Sequence, residues 1–431
     1  MTVRTILTEP NKLLRQISKL VEKVSNDTYM KIYDINTSLV DKSKNVLENT
    51  INYSYQNKDF YLGFTPSVFE DISKSGNARH EYLLPLTIEK NIMSSEKYGL
   101  VDLNTNIRMR NFETNKQTNF LVNNFNWKSI KWLNKFGFEN HFEGLLKTVN
   151  YEANKTDEFK NDKTNGEINP ALGYFAKMGF YKKDAINKFF YTFTPKFLLR
   201  YAPGHMRDVD GGKLNYGNLF DLNKIDKFDV LEDGLSTSIG FEYKKNKMDK
   251  NNIIGNEMFT FSVGQVISAE ENMDIPSSTS LDQHFSDIVG ETSYAVSNKL
   301  KLNYNFAIDQ GYKNFNYNEV SADIDFQKAK FNLGYLQEKN HVGSQEYITT
   351  GVDFMLNNSS ELSFATKRNI LTNSSEFYNL NYNYINDCLK AGLSYRREFY
   401  TDRDLEPTNS LMFTLTIIPF AEINSTNIAR W

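Results

Sequence analysis

Leu235-Ser-Thr-Ser-Ile-Gly-Phe-Glu-Tyr243 changes character at every step. Leu235, Thr237, Ile239, Phe241 and Tyr243 fall on one side; Ser236, Ser238, Gly240 and Glu242 fall on the other. Successive side chains of a strand point to opposite faces, so this is a strand with one apolar face. The period returns in Leu300, Leu302, Tyr304, Phe306 and Ile308 against Lys301, Asn303 and Asn305. It returns again in Val320, Ala322, Ile324 and Phe326, and in Tyr378, Leu380, Tyr382 and Tyr384. The opposite faces of those runs carry Asp, Lys and Asn repeatedly, so they meet water, either bulk solvent or a lumen.

The connections discriminate between the two. Asp309–Tyr317, Glu338–Glu346, Arg368–Glu376 and Arg397–Asn409 are long and polar. Between them fall the short links Lys328–Lys330, Asn357–Ser360 and Asn386–Asp387. An up-and-down membrane barrel alternates short periplasmic turns with longer outer loops, whereas a Greek-key sandwich has no reason to. At roughly 20 residues per strand and link, about 16 to 18 strands fit an all-β, large antiparallel transmembrane barrel. The pattern weakens between Lys155 and Asp184 and between Ser268 and Gly290, both read as long loops. Pro66, Pro85, Pro195 and Pro203 mark strand ends, edges or bulges.

Composition agrees. The 431 residues carry 50 Lys+Arg and 53 Asp+Glu, a net charge of -3, without the basic footprint of a nucleic-acid binder. Phe (32) and Tyr (25) are abundant, as aromatic girdles at both membrane interfaces require. Mean hydropathy is -0.54 and no apolar run is long enough for a transmembrane helix, which a strand-spanning protein does not need. The single Cys388 cannot form an internal disulfide. It is a buried thiol, a free thiol or half of a bridge to another chain.

Residues 1–27 read differently. Leu13, Leu14, Ile17, Leu20, Val21 and Val24 recur at three- and four-residue steps, which predicts a short N-terminal helix over Asn11–Val24. Thr8 is placed to cap it and Pro10 suits its first turn. Met1–Val24 lacks the uninterrupted apolar stretch of a secretory signal.

Several segments resemble, in order, the LPS-assembly protein LptD family. They include Phe193-Thr-Pro-Lys-Phe-Leu-Leu-Arg-Tyr-Ala-Pro-Gly-His-Met-Arg-Asp208, Asn218-Leu-Phe-Asp-Leu-Asn-Lys-Ile225 and Leu231-Glu-Asp-Gly-Leu235 through Tyr243. Phe261-Ser-Val-Gly-Gln265, Tyr29-Met-Lys-Ile-Tyr-Asp34, Phe69-Glu-Asp71, Glu81-Tyr-Leu-Leu-Pro85, Asn386-Asp-Cys-Leu389 and Leu405-Glu-Pro407 extend the likeness over residues 28–431. The resemblance implies the C-terminal part of an outer-membrane barrel that inserts lipopolysaccharide into the outer leaflet through a gap between its first and last strands. It also implies an LptE-like lipoprotein plug, a periplasmic LptA-like jellyroll bridge and the barrel-insertion machinery as partners. By the same resemblance, Cys388 pairs with a cysteine outside this chain. The resemblance also implies that the final strand, with Leu411, Phe413, Leu415 and Ile417 on one face and Phe420 beyond, forms one side of the gate and carries the insertion signal; an ordinary lipid-facing strand is the alternative. The family's jellyroll domain and first gate strand are not recognisable here, which implies a partial barrel. Residues 1–24, with Ile6-Leu-Thr-Glu-Pro-Asn-Lys-Leu-Leu-Arg-Gln-Ile-Ser18 and Val21-Glu-Lys-Val24, are instead similar to the start of peptide deformylase, as in a chimeric extension.

No chemistry follows from that beginning. His80-Glu81 lacks the second histidine of a zinc-binding helix and sits in strand-like sequence. His141, His205, His284 and His341 have no metal-ligand spacing, and Gly76 and Gly211-Gly212 are turn glycines. No catalytic residue, metal or cofactor is expected. Lys244, Lys245, Lys247 and Lys250 form either a contact for anionic lipid groups or a solvated hairpin, the second being the commoner case. A general diffusion porin and, remotely, a deformylase are the alternatives to lipopolysaccharide transport.

Overall fold

The computed structural model describes residues 3–9, 13–20, 46–71, 74, 76–156, 159, 163–249, 253–399, 409–417, 421–424 and 429–430. Their strands are β1 (Val3–Glu9), β2 (Leu13–Leu20), β3 (Val46–Asn57), β4 (Phe60–Phe64), β5 (Ser67–Asp71), β6 (His80–Ser95) and β7 (Gly99–Phe112). There follow β8 (Lys116–Lys128), β9 (Trp132–Leu133), β10 (Glu139–Asn154), β11 (Asn165–Lys177), β12 (Phe180–Asp184), β13 (Phe189–Ala202), β14 (Gly234–Met248) and β15 (Ile254–Ser268). The chain continues through β16 (Ile288–Ser297), β17 (Leu300–Ile308), β18 (Phe315–Phe326), β19 (Ala329–Glu338), β20 (Gln345–Asn357), β21 (Ser360–Asn369), β22 (Ser374–Ile385) and β23 (Leu389–Glu398). It ends with β24 (Asn409–Ile417), β25 (Ala421–Asn424) and β26 (Ala429–Arg430).

All 26 segments join one sheet, and each recorded pairing is antiparallel. Four pairs of segments (β4/β5, β8/β9, β11/β12 and β25/β26) lie along the edge of one shared neighbour, leaving 22 staves. That exceeds the 16 to 18 expected, because stretches read as helix and loop are strands.

The side chains explain why the sheet is a membrane barrel. Along β13, Leu198 and Arg200 are 0% and 1% exposed, whereas Leu199 and Tyr201 are 41% and 53% exposed. Along β14, Ser238 is buried while Leu235 and Ile239 are exposed. A protein in water does the reverse, since each large apolar side chain left exposed forgoes about 1.5–3 kcal/mol of transfer free energy. An exposed apolar face spread over the sheet marks lipid contact.

Pro85 and Pro195 each lie opposite a break in a neighbouring ladder. Pro66 interrupts the path from β4 to β5, and Thr65 N donates to Pro85 O at 3.2 Å. Pro195 lies across from the gap between β11 and β12, where Met178 N donates to its carbonyl at 3.2 Å. Proline has no amide hydrogen for the ladder, so the mismatch is absorbed there.

Two further expectations are corrected. The N-terminal helix is absent over Leu13–Leu20: β2 is a strand that pairs with β1 and with β3. An isolated helix of that length is marginal, and two flanking ladders satisfy the same backbone groups. The other residues of that helical reading, 11–12 and 21–24, lie outside the described residues. Lys155–Asp184 is not one long loop, because it contains β11 and β12. Its period was faint because Ala171 and Gly173, with their minimal side chains, alternate with exposed Ile168 and Leu172. The tail also forms strands, β25 and β26, along the outer edge of β24.

A charge on the lipid face near mid-stave costs roughly 2–4 kcal/mol. Ile239→Arg is expected to lower the barrel's unfolding free energy in lipid vesicles by about that amount. Equal stability of variant and parent would contradict the assigned face.

Candidate functional site

Two long links at the same end of the barrel, residues 203–233 and 269–287, fold back over the sheet's buried face. Met206, Leu214, Leu219, Ile225 and Val230 of the first link pack with Ile275 and Leu281 of the second and with Val266, Val289 and Ala307 of the wall. The first link is shaped locally by Asn218. Asn215 N donates to Asn218 Oδ1 at 2.9 Å, and Asn218 Nδ2 donates to the carbonyls of Lys213 and Lys224 at 2.9 and 2.8 Å. Wall glycines admit the link closely. A Cβ on Gly173 would stand 2.6 Å from Leu222 Cδ2, and one on Gly264, opposite Gly240, would collide with Leu219 Cδ2.

Charged side chains from the strands pin the link. Arg200 of β13 donates from Nε to Leu222 O at 2.8 Å and from Nη2 to Glu232 O. Lys147 of β10 donates from Nζ to Lys227 O at 2.8 Å and Phe228 O at 3.1 Å. Arg207 of the link reaches Asp229 Oδ2 and, across to β11, Glu167 Oε1, each at 3.2 Å. Its guanidinium also lies 5.2 Å from the Tyr151 ring centre and 5.0 Å from that of Phe159. Removing one member of such a buried pair costs roughly 3–5 kcal/mol, since the remaining charge has no solvent.

The second link is held by Asp287, whose Oδ2 accepts from Asn316 Nδ2 at 2.9 Å and lies 2.9 Å from His341 Nε2. The hydrogen bond to Asp287 raises the His341 pKa above its ordinary value. This contact is therefore strongest below the unfolded histidine's pKa and is lost as pH rises through the folded one.

Below this packed end, the buried-side face of β6 and β7 is a polar stripe. Asn91 Nδ2 donates to Asp102 Oδ1 at 3.1 Å, Asn104 Nδ2 to Glu89 Oε1 at 3.1 Å and Thr87 Oγ1 to Asn106 Oδ1 at 3.1 Å. The stripe ends at Arg110, whose guanidinium forks onto Glu81 at 2.6 and 3.0 Å. There it borders a cavity of about 800 Å³ lined by Arg108, Arg110, Phe120, Arg207 and Phe228. This wall offers donors and acceptors along its length but no activated nucleophile. Among the described residues no group of three or more His, Cys, Asp or Glu is placed to hold a metal ion.

The residues singled out in the sequence are separated. Cys388 is exposed in the short link 386–388, where its amide donates to Asn386 Oδ1 at 3.0 Å, at the end opposite the folded-in links. Leu411, Phe413, Leu415 and Ile417 lie on β24 beside Tyr395, Leu393, Ala391 and Leu389 of β23, with Phe413 and Ile417 exposed. Phe420 and Lys250 lie outside the described residues. Glu81 is engaged by Arg110, as a structural pair. Gly76, Gly211 and Gly212 take positive φ, as turn glycines do. Arg200, Lys224 and Glu232 were not singled out. The signal for Arg200 was charge on the buried register of a strand that leads into a long link, whereas Lys224 and Glu232 lie in the link itself and carry no such period.

Lys224 supplies a pH test. It is fully buried beside Arg200, with Nζ 3.9 Å from Glu232 Oε1. Burial, then Arg200, pushes its pKa down from 10.5 to about 7. The unfolded chain binds the extra proton between those values, so stability rises with pH from about 7 toward 10.5. Below pH 7 the penalty is fully present. Lys224→Met is expected to flatten that rise in the guanidinium midpoint and to stabilise the barrel at pH 7; an unchanged slope would contradict it.

Comparison with known proteins fits this architecture. The family described as LptD, LPS transport system D, matches residues 20–365. No curated protein matches the chain. Among solved structures, the siderophore receptor PirA from Acinetobacter baumannii is 7% identical with a TM-score of 0.43, over 88% of this chain and 72% of that one. The copper transporter OprC is 8% identical with a TM-score of 0.35, over 88% and 70%. A mutant porin of Rh. blastica is 9% identical with a TM-score of 0.25, over 79% and 98%. Superpositions that loose carry no argument of their own. The family match covers most of the chain, in an all-antiparallel sheet with an exposed apolar face. The chain belongs to the LptD family and is an outer-membrane β-barrel of lipopolysaccharide transport, not an enzyme.

Proposed function

We propose that the barrel inserts lipopolysaccharide into the outer leaflet, its saccharide moving along the polar inward face and its acyl chains leaving sideways between the first and last strands. The observation that carries this reading is the β6–β7 stripe, a continuous row of hydrogen-bonding side chains in a barrel whose other face is apolar. Hydrated sugar exchanges its water for such a wall at little net cost, whereas acyl chains do not. A sideways exit is supported by the family match alone, which is to a lipopolysaccharide transport system.

The partners follow from the same reading. An LptE-like lipoprotein fills the remaining lumen, an LptA-like jellyroll bridge delivers cargo from the periplasm, and the insertion machinery recognises the terminal strand with Leu411, Phe413, Leu415, Ile417 and Phe420. Cys388, exposed at the short-link end, pairs with a cysteine outside this chain.

A photo-crosslinking residue at Asn106, on the inward face, is expected to capture lipopolysaccharide in actively transporting cells. The same residue at neighbouring Thr105, on the outward face, is expected to give at least a several-fold weaker adduct. Absence of any adduct at Asn106 while transport continues would remove the proposed path.

A further inference from the structure

Lys244, Lys245 and Lys247 do not act as one cluster. Strand alternation turns Lys244 inward, where Nζ lies 3.3 Å from Glu242 Oε1 and 3.7 Å from Glu257 Oε2. Lys245 and Lys247 take the outward register shared by Leu235 and Ile239. Register adds a third amine. Lys182 of β12 sits beside Tyr191 of β13, which sits beside Lys245 of β14, in one outward row. Lys245 Nζ stands 4.0 Å from the centre of the Phe189 ring.

Among the described residues no ion pair joins Lys182, Lys245 or Lys247 to a carboxylate. The nearby acid, Asp184, accepts from Asn187 N at 2.9 Å and from Asn187 Nδ2 at 2.8 Å. The next rows inward are aromatic. Ring centres are 6.2 Å apart for Phe180 and Phe193, 5.2 Å for Phe193 and Phe241, and 5.8 Å for Phe241 and Phe261. The lysines therefore lie just beyond an aromatic girdle, at the end bearing the short links 185–188 and 249–253. Short links are periplasmic and aromatic girdles mark the headgroup level.

We propose that Lys182, Lys245 and Lys247 bind the phosphate of an anionic phospholipid in the periplasmic leaflet, with its acyl chains lying on the aromatic girdle. Three outward amines beside lipid offer charge-assisted hydrogen bonds to a phosphodiester, and their alkyl stems lie along apolar surface. A zwitterionic headgroup carries its own ammonium and gains less. The site is independent of any cargo in the lumen.

The test uses the full chain refolded in nanodiscs of phosphatidylcholine containing a minor fraction of phosphatidylglycerol. Lipid retained after detergent extraction is counted by native mass spectrometry. The parent is expected to enrich phosphatidylglycerol, less so at high salt. Enrichment is expected to fall about fivefold for each of Lys182→Gln, Lys245→Gln and Lys247→Gln. Lys244→Gln, inward and paired, is expected to change nothing. Heat-modifiable gel migration confirms folding, and a triple Lys→Arg variant must keep the preference. No enrichment by the parent, equal enrichment by the folded Gln variants, or loss of enrichment in the Arg variant would each overturn the site.

Discussion

Every part of this structure depends on the backbone hydrogen bonds of one antiparallel sheet being satisfied within the sheet itself. Lipid offers no partner to an amide or carbonyl, so a chain that spans it with strands must pair each stave with its neighbours. Once the ladders are complete, the faces are free to take opposite chemistries. That is why Ile239 can be exposed while Ser238, its immediate neighbour, is buried. The arrangement is the inverse of a soluble protein, and it leaves a polar surface along which a hydrated saccharide can move.

The inward links exploit that second face. A buried face lined only by apolar side chains would collapse onto any loop without selecting its position. Here Lys147 and Arg200 reach from the strands to the carbonyls of residues 222–232, and Arg207 returns the contact to Glu167. Cations in a low-dielectric setting must be matched nearly group for group, so each fixes the link's register. Glycines at 173, 240 and 264 then let Leu222, Phe220 and Leu219 approach the wall. The polar stripe on β6 and β7 remains beside this packed end, leading to the Arg108–Arg110 cavity. On the proposed reading, transport is a matter of solvent exchange along a wall rather than bond making.

Much of this was legible because lipid contact imposes a period of two on the staves. Leu300–Ile308, Tyr378–Tyr384 and the alternation of short and long links read correctly, since large apolar side chains mark their outward face. The period failed where one face carries small residues, as at Ala171 and Gly173 of β11. It failed at Leu13–Leu20 because leucine spacing mimics a helix, while the deciding interaction is pairing with β3 across more than thirty residues of sequence. The charged anchors were hidden for a different reason. Arg200 and Glu232 look like ordinary surface residues until the fold encloses them together.

The assignment of faces is the claim on which the rest stands, and acyl-chain quenching tests it most directly. In a Cys388→Ser background, single cysteines at 235, 236, 238 and 239 carry an environment-sensitive fluorophore in vesicles of bromine-labelled phospholipid. The account predicts strong quenching at 235 and 239 and little at 236 and 238. Equal quenching at all four positions, or none at any, would contradict it.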